Sequence, residues 1–313
     1  MATLITGIGL VGTAFAQLAL KRGERLIFYD FQPRKEFLAK KIGAADVAVV
    51  QKDIRDLSAL VEAMQKNKID TVVHTAGLIG GRVAEALYTG LQINVMGTIN
   101  VAEAVRLAGV KRLVLISTMG VYDRRQESSA PITEDFPRGE GNPYGNSKAA
   151  KELMAEAYQQ QYGFELIVLR LANVYGFGHF WGGSGGGEII QTMLQRGMIG
   201  ELVRAPQEQA RDFEYVYYKD VGRAIDSAVT VPMPAKKFFN IGTSVIVKFD
   251  ELIAVAKRLL PKLQVEITPG KPPRSAKQPL SIARAKEYLS WEPHYRNMEM
   301  GLQDYIQELK AFA

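Results

Sequence analysis

From its first residues to residue 171 the chain repeats one pattern, a short β-branched run followed by a longer stretch with helical periodicity. The runs are TLIT (3–6), RLIFY (25–29), VAVV (47–50), DTVVH (70–74), RLVLIS (112–117) and ELIVLRL (165–171). Helical stretches lie at 10–22, 33–41, 56–67, 84–108 and 143–162. Strands that are apolar throughout need cover on both faces. Helices between successive parallel strands supply it. The pattern predicts an α/β fold built on a doubly wound parallel sheet.

After residue 175 the pattern becomes irregular. The glycine-rich stretch WGGSGGG (181–187) leads into short elements at 187–197, 214–218, 219–230, 237–241, 248–260, 264–267, 281–289 and 297–311. Residues 1–175 read as a dinucleotide-binding domain. Residues 176–313 read as a smaller substrate-binding lobe, with a segment at about 214–245 returning to the first domain. The glycine stretch reads as a mobile loop near the substrate, beside Trp181.

Composition narrows the function. Hydrophobic content of 47% and charged content of 23% are those of a soluble globular protein. The net charge of +6 is spread without a basic stripe, which disfavours nucleic acid as a partner. There are no cysteines, so disulfides and thiolate chemistry are excluded. His74, His179 and His294 lack metal-ligand spacing, and no metal is expected. No apolar segment reaches membrane-spanning length, and no leader is visible, so a cytoplasmic protein is expected.

The first strand runs directly into Gly7-Ile8-Gly9-Leu10-Val11-Gly12, a G-x-G-x-x-G at a helix start. Such a turn lets backbone N–H groups approach a pyrophosphate at the positive end of the helix. Asp30 ends the second run, with Phe31 after it. A carboxylate there accepts hydrogen bonds from the adenosine ribose and repels a 2′-phosphate, favouring NAD over NADP. Arg34, a few residues on, is the residue that would accommodate such a phosphate. The arrangement predicts a Rossmann-type NAD site. Asp53-Ile54 and Thr75-Ala76-Gly77 follow the third and fourth runs, where open α/β sheets bind ligands. His74 reads as a packing residue at its strand end.

Tyr144 and Lys148 lie in YGNSKAAKELMAEAYQQQ, one turn apart on a single helix face that starts at Asn142-Pro143. With 13 Tyr and 39 Lys+Arg, chance matches to this spacing are expected. A second occurs at Tyr215 and Lys219, but it begins in a strand-like run. Strand geometry would hold those side chains about 13 Å apart. In the helical pair the ammonium favours the phenolate, and the tyrosine serves as a general base for an alcohol that is losing hydride. Ser117 and Thr118, at the end of the fifth run, would align that alcohol.

With these residues the chain resembles the extended short-chain dehydrogenases/reductases of the NAD-dependent epimerase/dehydratase type. The matching motifs also include NVMGT (94–98), STMGVY (117–122), LRLANVYG (169–176), RDF (211–213), FNIGTS (239–244) and LSWEP (289–293). The resemblance implies Tyr144 as acid/base, and Lys148 as the group that lowers its pKa and holds the nicotinamide ribose. By the family's S-[ST]-x-x-V-Y pattern it selects Thr118 over Ser117. It implies a structural role for Asn94, which also counts among the expected cofactor-binding residues. Leu171 and Ala172 would lie at the nicotinamide, Met119 and Asn173 at the substrate, and Arg211 at a diphosphate. The glycine loop is one residue shorter than the family's TGxxGxxG. No G-D-G-like turn precedes RDF. TPGKPPRS (268–275) stands where an R-P-G-D stretch is usual, which leaves Lys271 or Arg274 for the diphosphate.

The resemblance implies a sugar-nucleotide 4-epimerase. The alternatives are an NAD-dependent dehydrogenase of a small sugar, sugar acid or polyol, and a non-catalytic NAD-sensing module. Met119 and Gly120 replace the acidic pair of the dehydratase variant. A homodimer through the helices at 84–108 and 143–162 is also implied.

Overall fold

Leu4 and Ile5 are neighbours in the first strand and pack on opposite sides of the sheet, and the same alternation runs through the central strands. Leu4, Ile27, Val72, Leu113 and Leu166 point into one core layer, while Ile5, Phe28, Val73, Val114 and Ile167 point into the other. This period of two, apolar on both faces, forces helices onto both sides. The computed structural model describes residues 1–313 except 44, 46, 124, 127, 128, 140, 180–183, 272–274 and 313.

The first half runs β1 (Ala2–Thr6), α1 (Leu10–Lys21), β2 (Arg25–Asp30), α2 (Lys35–Ile42), β3 (Ala48–Gln51), α3 (Leu57–Lys66), β4 (Thr71–His74), α4 (Gly81–Glu85), α5 (Leu87–Leu91), a π-helical turn (Gln92–Met96), α6 (Gly97–Leu107), β5 (Arg112–Thr118), α7 (Pro143–Tyr162) and β6 (Glu165–Leu171). The second runs β7 (Asn173–Tyr175), α8 (Gly185–Ile199), β8 (Leu202–Pro206), β9 (Phe213–Tyr217), α9 (Tyr218–Thr230), β10 (Phe238–Ile241), β11 (Ile246–Val247), α10 (Phe249–Leu259), β12 (Gln264–Thr268), α11 (Ala283–Leu289) and α12 (Met298–Ala311). The central sheet has the order β10-β6-β5-β4-β1-β2-β3 with every pair parallel. The order reverses between β1 and β4, and that switch point opens a crevice at the strands' carboxyl ends.

α1, α2 and α9 cover one face; α3, α6 and α7 cover the other. A third core, centred on Ile190, Met193, Leu252 and Leu302, belongs to the lobe. The lobe holds two small sheets, β11-β9-β7 and β12-β8. α9 returns to lie on α1, and β10 adds to the edge of the main sheet. Trp291 of the LSWEP segment is buried and donates to the Asp220 carbonyl at 3.0 Å, so that motif pins the lobe to α9.

Two expectations change. The helix expected at 84–108 is broken. Ala86 leaves helical geometry, and the π turn at Gln92–Met96 places Asn94 inward to bond the Leu78 backbone. Of the glycine stretch, Gly185–Gly187 form the first turn of α8 rather than a mobile loop, capped by the Ser184 hydroxyl, which accepts from Gly187 N at 3.2 Å. Gly187 is needed because a Cβ there would overlap the His179 ring. Trp181, Gly182 and Gly183 lie outside the described residues.

Helix α7 is anchored to the sheet through Glu152, which is fully buried. Its carboxylate accepts from Arg170 of β6 at 2.7 and 3.0 Å and from Ser117 of β5 at 2.5 Å. Removing one partner of such a pair leaves a stranded charge. Arg138 still reaches Glu152 at 3.1 Å, so Arg170→Met should lower unfolding stability by up to about 3–5 kcal/mol. Glu152→Leu combined with Arg170→Met should cost much less. Urea midpoints of the two variants check this.

Candidate active site

Backbone turns at the carboxyl ends of β1, β2, β3 and β4 build one half of a cleft of about 1590 Å³. A single drug-sized ligand fills roughly 300–1,000 Å³, so this space suits two ligands together. The loop after β1 is held by Gly7 N, which donates to the Tyr29 carbonyl at 2.8 Å. Asp30 stands at the end of β2. Its carboxylate accepts from Ile8 N at 2.6 Å and from Gln32 N at 2.8 Å, so it braces the glycine loop as well as facing the cleft. Gly7, Gly9, Leu10, Val11, Asp30, Phe31, Asp53, Ile54, Thr75, Ala76 and Gly77 all line the cleft. Gly12 does not; it is buried beneath the loop. Asp53 is held below the usual carboxylate range by hydrogen bonds from Arg55. The Arg34 guanidinium sits 4.2 Å from the Phe37 ring centre, near Asp30, and also lines the cleft.

His74 is a packing residue, fully buried between Thr6 and Thr98. Asn94 is spent on structure: it bridges Leu78 N and O and donates to Ser147 Oγ at 3.0 Å, and it does not reach the cleft.

Across the cleft from the glycine loop, Thr118, Tyr144 and Lys148 meet. Asn142 caps α7 by accepting from Gly145 N at 2.7 Å, with Pro143 in the first turn. The N-terminus of α7 packs on the turn Met119–Val121 that follows β5. Thr118 Oγ accepts from Gly120 N at 3.1 Å and bonds the Tyr144 hydroxyl. Ser117 points the other way, to Glu152, and its hydroxyl is consumed there. Lys148 Nζ lies 5.8 Å from the Tyr144 ring centre and 3.5 Å from the Ile116 carbonyl.

The electrostatics differ from expectation at one point. Burial pushes the Tyr144 phenol up to about 12, and only the Thr118 hydrogen bond opposes it. Lys148 does not pull it below its ordinary value. Burial brings Lys148 itself down to about 8, against support from Lys151 and Glu152. Desolvation dominates both shifts because the two groups are enclosed by α7 and the sheet.

The substrate side of the cleft is lined by Met119, Leu171, Ala172, Asn173, His179, Arg211 and Phe213. The Asn173 side-chain NH₂ is buried without a partner among the described residues. Lys271 does not line the cleft; it is exposed, and its backbone N–H donates to Glu208 at 2.9 Å. Arg274 lies outside the described residues. The segment Ser275–Gln278 lines the cleft instead, bringing Lys277, which sequence reasoning passed over. Ala276 N donates to the Asp212 carbonyl at 3.0 Å and anchors the segment that carries Lys277. Glu214 was missed as well. Fully enclosed, it accepts from Thr243 N and Ser244 N at 2.8 Å and from Leu280 N at 2.6 Å, joining the FNIGTS turn to the segment beside Lys277. A lone Glu in an aromatic strand carries no sequence signal of that role. The second Tyr–Lys pair does not lie in one strand: Tyr215 is in β9, and Lys219 is in α9 paired with Asp304 at 2.5 Å.

The model of the NAD dependent epimerase/dehydratase family matches residues 3–242. A UDP-glucose 4-epimerase of Mycolicibacterium smegmatis is 28% identical over 301 residues, 94% of each chain. A UDP-glucuronate 4-epimerase of Thermodesulfobacterium geofontis is 26% identical, covering 96% of this chain and 93% of that protein. Among solved structures, Thermus thermophilus UDP-glucose 4-epimerase in complex with NAD superposes with a TM-score of 0.87 at 24% identity, covering 100% of both chains.

The meeting of Tyr144 with Thr118 depends on Gly145, because a Cβ there would overlap the Gly120 carbonyl. Gly145→Ala should push α7 off the turn and cost about 1–3 kcal/mol. Thermal denaturation measures the loss. A stability equal to wild type would show that the helix does not need this approach.

Proposed function

Because the chain belongs to the NAD-dependent epimerase/dehydratase family, on its match over residues 3–242, we propose that it is a sugar-nucleotide 4-epimerase. The observation that carries this reading is the meeting of Thr118, Tyr144 and Lys148 opposite the glycine loop, in one cleft with room for two ligands. The residues present fit NAD. The glycine loop opens α1 at the cleft, and the Asp30 carboxylate faces it from the end of β2, a ribose-binding arrangement. Asp30 disfavours a 2′-phosphate beside it. Gly7, Gly9, Leu10, Val11, Asp30, Phe31, Asp53, Ile54, Thr75, Ala76 and Gly77 would hold the adenosine and pyrophosphate. Tyr144, Lys148, Leu171 and Ala172 would hold the nicotinamide half. Bound NAD supplies a hydride acceptor that carries positive charge beside Tyr144.

The chain's own residues handle the proton. Thr118 aligns the sugar hydroxyl, and Tyr144 accepts its proton as the alcohol becomes a ketone. Lys148 stabilises the phenolate. Tyr144 returns the proton after the keto sugar has presented its other face, so no proton leaves the site over a cycle. Asn173 faces the sugar, and Met119 borders it. Arg211 and Lys277 neutralise the diphosphate. Lys271 is not retained in that role. Met119 and Gly120, in place of an acidic pair, disfavour the dehydratase course.

We divide the chain near residue 175, with α9 and β10 returning to the first domain. No helix among the described residues is long and apolar enough to cross a membrane. The reading places the enzyme in the cytoplasm. It also carries a homodimer. Tyr88 (77% exposed), Leu91, Met96, Leu153, Met154 and Tyr162 form an exposed apolar face on α5, the π turn and α7. Met154→Glu should shift the mass in sedimentation equilibrium to that of a monomer.

Purified protein with NAD, offered a panel of nucleotide sugars beginning with UDP-sugars, tests the main reading. The expected product is a 4-isomer without net formation of reduced nicotinamide. An oxidised sugar formed together with stoichiometric reduced cofactor would make the protein a dehydrogenase. Tyr144→Phe should lower turnover by about 10²–10⁴-fold while NAD still binds. Activity surviving that change would end the catalytic account.

A further inference from the structure

Strand β7, which brings Asn173 to the substrate side, continues into Gly176-Phe177-Gly178-His179, and helix α2 grips this segment from outside the cleft. Gly176 and Gly178 have φ of +143° and +107°, and neither has room for a side chain. A Cβ at Gly178 would overlap the Phe37 ring of α2, and one at Gly176 would overlap the Tyr218 ring of α9. Between them the Phe177 ring stacks on Phe312, just beyond α12, with ring centres 4.8 Å apart. Lys41 of α2 faces the same ring. Its Nζ lies 4.7 Å from the Phe177 ring centre, 4.0 Å from that of Tyr218 and 3.9 Å from the Glu308 carboxylate. Lys41 is buried and has no hydrogen-bond acceptor among the described residues, so these rings and that carboxylate hold it.

Helix α2 also reaches the cofactor half of the cleft. Its N-cap is Arg34, which follows Asp30 after a short turn. That turn is tied to the Asp30 carboxylate, which accepts from Gln32 N at 2.8 Å. The Arg34 guanidinium lies on the Phe37 ring, 4.2 Å from its centre, and donates to the Gly178 carbonyl at 3.4 Å. The hydrogen bond is long, and the ring contact shares the hold. His179 comes next in the chain. It lines the cleft, its Nε2 donates to the Ser184 carbonyl at 3.1 Å, and its ring lies against Gly187. Ser184 and Gly185, at the start of α8, line the cleft as well. A path of contacts therefore runs from the carboxylate assigned to the adenosine ribose to residues on the substrate side.

We propose that Arg34 is a positioning residue that couples the two halves of the cleft: stacked on Phe37 and bonded to Gly178, it fixes the loop after β7, and with it His179 and the start of α8, when a dinucleotide occupies Asp30. The proposal rests on the reading of the cleft as a site for NAD and a sugar nucleotide. A ligand at Asp30 orders the turn that carries Arg34, and the loop is then already ordered when the second ligand arrives. The two ligands therefore bind with positive cooperativity, and the factor is the same whichever binds first. Direct contact between them would give the opposite sign, because both carry net negative charge and repel. Arg34 is exposed, so the core does not depend on it.

Isothermal titration calorimetry on the whole protein measures the coupling. The Kd for NAD is taken with and without a saturating nucleoside diphosphate. UDP, dTDP and GDP serve as probes, since they lack the sugar and cannot react. In wild type, at least one of them should tighten NAD binding by about fivefold or more. Arg34→Ala should cut that factor by about two- to fivefold, the worth of an exposed cation–ring contact, at an unchanged thermal midpoint. Gly178→Ala, strained at positive φ and striking Phe37, should abolish the coupling while NAD alone binds as in wild type. A wild type that binds both ligands without coupling overturns the proposal and leaves the function standing. Arg34→Ala with the wild-type factor overturns it too, and a lowered thermal midpoint beside that factor would make Arg34 structural only. A wild type that binds NAD and none of the three diphosphates overturns the functional reading, and the proposal with it.

Discussion

The buried pair of Glu152 and Arg170 is the interaction on which the rest of the site depends. It joins the helix that carries Tyr144 and Lys148 to β6, and through Ser117 it reaches β5, which carries Thr118. Arg170 also donates to the Glu134 carbonyl at 2.9 Å and to Tyr122 at 3.1 Å, and Tyr122 donates to Asn240 at 2.5 Å. One charge pair therefore sets the rotation of α7, the path of the loop after β5 and the docking of β10. Desolvating two ions is expensive, and packed apolar residues would serve stability as well. An ion pair with several directed bonds adds a single register, which a general acid/base site needs to within about half an ångström.

The same enclosure shapes the chemistry. Burial pushes the Tyr144 phenol up and brings Lys148 down to about 8, so it opposes charge on both groups. A site of this kind responds strongly to an added positive charge, because little solvent screens it. In the substrate lobe the organising group is Glu214, whose carboxylate collects three backbone N–H groups from two segments distant in sequence.

Some of this was legible in the residues. A glycine turn between a strand and a helix, an acid at the end of the next strand, and a tyrosine and lysine one helical turn apart are local patterns. Each is written by neighbours whose geometry follows from the secondary structure they sit in. The parallel sheet was legible for the same reason, since apolar runs of period two admit few arrangements. The break at Ala86, the helical start at Gly185 and the inward turn of Lys277 were not legible. Each depends on a partner outside its own element: the Leu78 backbone for Asn94, the His179 ring for Gly187, and the Asp212 carbonyl for the segment beside Lys277.

The sequence by itself determined the fold class and the local patterns on which the proposed dinucleotide turn and the proposed Tyr144–Lys148 pair rest, because short-range periodicity and loop chemistry dictate them. Only the tertiary structure decided how deeply that pair is buried, and that Lys277 rather than Lys271 lines the cleft. These rest on burial and on long-range hydrogen bonds. A residue's type says what charge it can carry; only the packing around it says whether that charge is kept.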